Sequence, residues 1–170
     1  GMLEGFTKAA IDQGTYNGSL YSGPFASSSQ LLYYNADLLE EQGIALPGSD
    51  PKDRWTWEEI VEAAQKVANP SKDVWGIVFE QTDRPYQLLP LAQSLGAEVI
   101  GPDGLKASGY VNSKKFIQAF QFYQDLFQEW KVSPVGTDIS TAPELFGTGR
   151  TAFFIGGPWD LKRRSEERRV

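Results

Sequence analysis

Thr151-Ala152-Phe153-Phe154-Ile155-Gly156-Gly157-Pro158-Trp159 decides the fold. A short apolar run that ends in two glycines and a proline reads as a buried strand stopped by a turn. Working outward, Trp75-Gly76-Ile77-Val78-Phe79-Glu80 is a second run of the same kind. Between the two lies a long amphipathic pattern from about Ser113 to Trp130. Phe116, Phe120, Tyr123, Phe127 and Trp130 form its apolar face, with Ile117 and Leu126 beside them. Strands that alternate with helices place the chain in the α/β class.

The flanking segments agree. Thr56-Trp57-Glu58-Glu59 has capping-box spacing, and Trp57, Ile60, Val61, Ala64 and Val67 then recur at helical spacing. Asn35 is placed to cap a helix through Leu38-Leu39 that stops near Gly43. Residues 86–95 read as a helix closed by Gly96, residues 141–146 as a short helix, and residues 101–104 as a turn. Toward the start, residues 3–12 suggest a short helix and Tyr16-Asn17-Gly18-Ser19 a turn. Strand-like runs follow around Leu20-Tyr21 and from Gln30 to Asn35, with a polar loop from Gly23 to Ser29 between them.

Composition removes several kinds of chemistry. The 170 residues are 41% apolar and 22% charged, enough for a real core, and no apolar run approaches membrane-span length. With no cysteine and no histidine, thiolate nucleophiles, imidazole bases and zinc clusters are excluded. No Asp/Glu grouping has metal-ligand spacing, and Gly147-Thr148-Gly149 lacks the lysine of a phosphate loop, so no cofactor is expected. Net charge is −6, and the last nine residues hold five basic and two acidic side chains. The preceding body carries 11 basic and 20 acidic residues, or −9, which argues against nucleic acid as a partner. The tail, residues 162–170, reads either as a solvated helix end or as a non-native end. Gly1-Met2 reads as a cleavage scar before a start methionine, so the absence of a signal peptide carries no weight on location.

Four motifs in order resemble the extracellular solute-binding proteins of the maltose-binding, family 1 type. They are the run from Gly18 to Pro24, Leu32-Tyr33-Tyr34-Asn35-Ala36-Asp37-Leu38-Leu39, Trp55-Thr56-Trp57-Glu58-Glu59, and Phe146 to Ala152 with Gly157-Pro158-Trp159. The resemblance reaches to about Leu161. It implies a periplasmic-binding-protein-like type II fold of two α/β lobes with ligand in the cleft between them. It further implies that this chain is incomplete. Residues 1–29 would be a strip of the first lobe and the hinge loop, and residues 30–161 most of the second lobe. The family's role implies capture of a small-molecule carbohydrate for ABC permease subunits, in the periplasm or outside the cell, with lipoprotein anchoring as one mode. With its partner lobe missing, the fragment is expected either to self-associate, with exchange of the N-terminal segment between copies as one route, or to bind sugar very weakly.

Sugar rings present apolar faces and hydroxyl edges, so a sugar site needs aromatic plates and forked polar groups. The resemblance gives Tyr86 and Trp159 stacking roles; the plain alternative for each is packing on its own lobe. Glycines before Trp159 let backbone approach a ligand closely. Asp83, Arg84 and Gln87 are candidate hydrogen-bonding neighbours. Maltose-binding members carry an acidic residue near Ser28, whereas here Ser27, Ser28 and Ser29 offer hydroxyls. That resembles the glycerol-3-phosphate-binding members, with Arg84 as the charge, and leaves a phosphorylated polyol as the second expectation. A glycoside hydrolase fragment is the rival from the enzyme class. It requires two carboxylates facing across a cleft, and no such pair stands out.

Overall fold

The computed structural model describes residues 3–25, 28–48, 50–81 and 83–161. Gly1-Met2, Ser27 and the tail 162–170 lie outside the described residues. Strands β3 (Leu31–Tyr34), β4 (Trp75–Phe79) and β5 (Thr151–Gly156) form a sheet in the order β3-β5-β4. β4 runs parallel to the central β5, and β3 runs antiparallel to it with Leu31 opposite Gly156.

Alternation along the strands makes three layers. Ile77, Phe79, Phe153 and Ile155 point into one core cluster, and Val78 and Phe154 into the other. The larger cluster is closed by α2 (Ala36–Glu41), α3 (Trp57–Val67), α4 (Leu89–Ser94) and α5 (Lys114–Gln128). On the other side α6 (Thr141–Gly147) seats Ala142, Leu145 and Phe146 against Tyr33 and Phe154. Both faces of β5 are therefore buried, which is why its sequence is apolar without alternation.

Helix starts follow their caps. Thr56 accepts from the Glu59 N–H while Glu59 accepts from the Thr56 N–H, the reciprocal capping box. Asn35 accepts from Leu38 N–H at 3.2 Å, and Ser113 from Phe116 N–H at 3.4 Å. α5 runs as read, from its Ser113 cap. Trp55, Trp57 and Trp130 pack against the main core.

Three expectations change. The first helix is α1, only Lys8–Gln13, because its cap is Thr7, which accepts from Ala10 N–H. Residues 86–88 are not α-helical but belong to a 3-10 turn from Pro85 to Leu88. Pro90 has no N–H to close an α-turn onto the Tyr86 carbonyl, so that carbonyl accepts from Leu89 instead. Finally, the apolar face of α5 is only half covered: Phe116 and Leu126 are buried, but Phe120 and Ile117 are exposed.

Residues before the sheet stand apart. Among the described residues β1 (Thr15–Tyr16) and β2 (Ser19–Leu20) pair only with each other, around Asn17 and Gly18 at positive φ. Neither core cluster contains a residue before Tyr33.

Candidate functional site

Parallel β4 and β5 end on the same side of the sheet, and the chain leaves them as Glu80-Gln81 and Gly157-Pro158-Trp159. Carboxyl ends of parallel strands are where α/β sheets place ligands. A groove of about 490 Å³ opens there, lined by Glu80, Gln81, Arg84, Tyr86, Ile139, Trp159 and Asp160.

Tyr86 and Trp159 are thus brought onto one concave surface, 39% and 45% exposed. The 3-10 turn presents Tyr86, and the turn after β5 presents the indole. Gly157 lies directly under that indole. A Cβ added there would fall well inside contact distance of Cζ2, Cη2 and Cζ3 at nearly equal separations, which puts it over the ring face rather than at its edge. The Gly157 carbonyl is held in turn by the Tyr33 hydroxyl, which donates to it at 2.6 Å.

Beneath the aromatics is a buried polar cluster that the sequence reading missed. Glu80, 2% exposed, accepts from Trp159 Nε1 at 2.8 Å through one oxygen. Its other oxygen accepts from Gln87 Nε2 at 3.1 Å and Gln81 Nε2 at 3.2 Å. Asp160 is buried beside it. The one sequence signal was an acidic residue closing an apolar strand, where a buried carboxylate needs donors.

The other candidates divide. Arg84 is exposed and lines the groove; Asp83 is exposed but is not among the lining residues. Ser28 and Ser29 are exposed just before β3, at the end of the sheet that carries Gly156, and they too do not line the groove. Gln87 departs from expectation. It is 1% exposed, and both ends of its amide are used internally, with Oε1 accepting from Gln81 N–H at 2.8 Å. The tight turn rotates it inward, so it holds Glu80 instead of facing the groove.

Asp138 caps the turn that carries Ile139. Its carboxylate accepts from Ser140 N–H at 2.9 Å and from Thr141 N–H at 2.8 Å and Oγ1 at 2.9 Å. Those bonds, the Thr141 backbone N–H first, hold its carboxyl below the usual aspartate range. Among the described residues no group of three acidic side chains could hold a metal ion.

The sequence profile of the bacterial extracellular solute-binding proteins matches residues 2–167. Similar curated proteins include the maltotriose-binding protein of Pyrococcus abyssi, 24% identical over 94% of this chain and 32% of its own length. The galactooligosaccharide-binding protein of Bacillus subtilis is 28% identical over 92% of this chain and 36% of its own. The sn-glycerol-3-phosphate-binding protein of Agrobacterium fabrum is 30% identical over 85% and 34%. Among solved structures, maltose-bound MalE3 of T. maritima superimposes with a TM-score of 0.71 at 29% identity, covering 94% of this chain and 40% of that one. The chain therefore spans about a third of the length of these curated relatives. Its layers are those of part of a periplasmic-binding-protein-like fold.

Proposed function

The chain belongs to the bacterial extracellular solute-binding protein family, and on that premise we propose that it is the gripping segment of a two-lobe carbohydrate-binding component of an ABC importer. The observation that carries this reading is the groove at the ends of β4 and β5. There Tyr86 and one open face of the Trp159 indole share a wall with hydrogen-bonding groups. Apolar plates beside polar edges suit a pyranose ring. The relatives named for maltotriose and galactooligosaccharide binding support a saccharide.

The glycerol-3-phosphate-binding relatives support a second reading, a phosphorylated polyol. In the groove, however, Arg84 is the one cation among the described lining residues, against Glu80 and Asp160. An anionic ligand would lie in the field of two buried carboxylates beside one guanidinium, so the neutral sugar is favoured. Ser27, Ser28 and Ser29 belong in this reading to the hinge loop, meeting ligand only when a second lobe closes, and Asp83 is a hydrogen-bonding neighbour at the edge of the groove. Residues 1–29 are read as first lobe and residues 30–161 as second lobe. The full-length protein would work with permease subunits in the periplasm or outside the cell, retained there by a lipid anchor in one mode. The isolated chain would self-associate.

Calorimetric titration of the full-length protein with maltotriose and with sn-glycerol 3-phosphate, at low and high salt, tests the reading. Salt-insensitive binding of the sugar is expected. Salt-sensitive binding of the phosphate with no sugar binding would replace the first reading with the second.

A further inference from the structure

Position 80 is hemmed in by donors. Trp159 Nε1 can only donate, and it meets one Glu80 oxygen at 2.8 Å. On the other side stands the Gln87 amide, whose orientation is not free. Its Oε1 takes the Gln81 backbone N–H at 2.8 Å, so its Nε2 must face residue 80, where it lies 3.1 Å from the second oxygen. Turning the amide over would set two donors against each other at Gln81. Residue 80 must therefore accept at both ends, which among side chains of its length only a carboxylate does. Gly157, pinned by Tyr33, closes one face of the same indole.

We infer that Glu80 is the positioning residue for Trp159. It sets the rotation of the indole, and with it the plane in which the groove accepts a ring. This rests on the carbohydrate reading only for its consequence in binding; the positioning itself is a property of the chain. Glu80 is too buried to meet ligand directly and acts through the indole. Gln87 and the Gln81 backbone fix its direction.

The five tryptophans give five indole N–H signals in a nitrogen–proton correlation spectrum of the chain, and Trp159→Phe identifies the one that matters. Glu80→Gln cannot satisfy both sides: its amide faces either the indole N–H or the Gln87 amide with a donor. The Trp159 signal is expected to move upfield while the other four stay in place. In the Glu80→Gln/Gln87→Glu double variant the pattern closes again. The new amide oxygen at position 80 takes the indole N–H, and its NH2 donates to the new carboxylate at position 87 and to Gln81 Oε1, once the Gln81 amide, which gives its Nε2 to Glu80 at 3.2 Å, turns over. That carboxylate also takes the Gln81 N–H. The Trp159 signal should return toward its original place.

A purely structural role for Glu80 would lower the melting temperature of the single variant without moving the Trp159 signal or the maltotriose affinity. In parallel, maltotriose affinity of the full-length protein should fall about tenfold in the single variant, as loss of one charged hydrogen bond implies, and recover in the double. An unmoved Trp159 signal in Glu80→Gln, or a double variant as perturbed as the single, overturns the inference. If the signals follow the pattern but maltotriose fails to bind the unaltered protein, the positioning role stands and the carbohydrate reading falls.

Discussion

Trp159 touches the rest of the chain at its ring face, through Gly157, and at its N–H, through Glu80. These two contacts separate what a substitution would do. Trp159→Ala removes the plate, and the expected loss is about 10–100-fold in maltotriose affinity, the range for truncating an anchoring aromatic. Tyr86→Ala should cost less, because a phenol ring offers a ligand a smaller stacking face than an indole. Gly157→Ala is the sharper test. Gly157 is not at positive φ, so alanine suits its backbone, and the added methyl meets the indole instead. Affinity should fall toward that of Trp159→Ala. The thermal midpoint should stay within about 3 °C, which for a chain of this size is roughly 1 kcal/mol. A calorimetric titration beside a melting curve reads both; a large drop in melting with binding intact would show that the ring had not been displaced.

At the scale of elements, the caps carry stability that can be read singly. Thr56→Ala opens the capping box of α3 and should cost about 1 kcal/mol, seen as a lower urea midpoint with an unchanged slope. Acid acts on two other junctions. Asp73 is held below the usual 3.8 first by the Trp75 indole N–H and then by Arg150, with which it also forms an ion pair joining the start of β4 to the start of β5. Asp138 is held low by the first turn of α6. A carboxyl depressed on folding stabilises the fold above its unfolded value, and that stability disappears as pH falls through the lower folded value. Urea midpoints should therefore hold from neutral pH to about 4 and decline below it, with Asp138→Asn flattening the decline. These junctions also mark what the sequence could say. Thr56 with Glu59, and Asn35 before an apolar pair, announce their helices because capping is local chemistry. The two buried strands announce themselves because both faces of the sheet are covered. Gln87 could not be placed that way. A turn at three residues per turn and one at 3.6 point the same residue in different directions, and Pro90 decides between them four residues beyond Tyr86. Glu80 was hidden because its donors come from three separate places: a neighbour in sequence, the following turn and the end of β5.

Across the whole molecule, the sequence periodicity of α5 shows which face is apolar but not what covers it. Ile117 is 61% exposed, and with Phe120, Val99, Val111 and Val135 it lines an open groove of about 1030 Å³. Phe6, Leu20, Tyr21 and Phe25 are also exposed, on the segment that adds nothing to either core cluster. At roughly 25 cal/mol per Å², covering ~400 Å² of such surface offers about 10 kcal/mol. Association itself costs on the order of 4–15 kcal/mol. At the low end of that cost about 6 kcal/mol remains, a dissociation constant on the order of tens of micromolar, so the isolated chain should form reversible dimers at tens of micromolar and above, not permanent aggregates. Light scattering over a concentration series checks this, and two substitutions locate the contact. Ile117→Lys should abolish dimers held by the α5 groove. It should leave intact dimers made by exchanging residues 3–25, which Tyr21→Lys with Leu20→Lys would weaken instead. Because the relatives are about three times longer, the same surfaces in the full-length protein are expected to lie against the rest of its chain, and its scattering should be that of a monomer. An isolated chain that stays monomeric up to about 100 μM would place the association cost above about 5 kcal/mol and overturn the expected self-association.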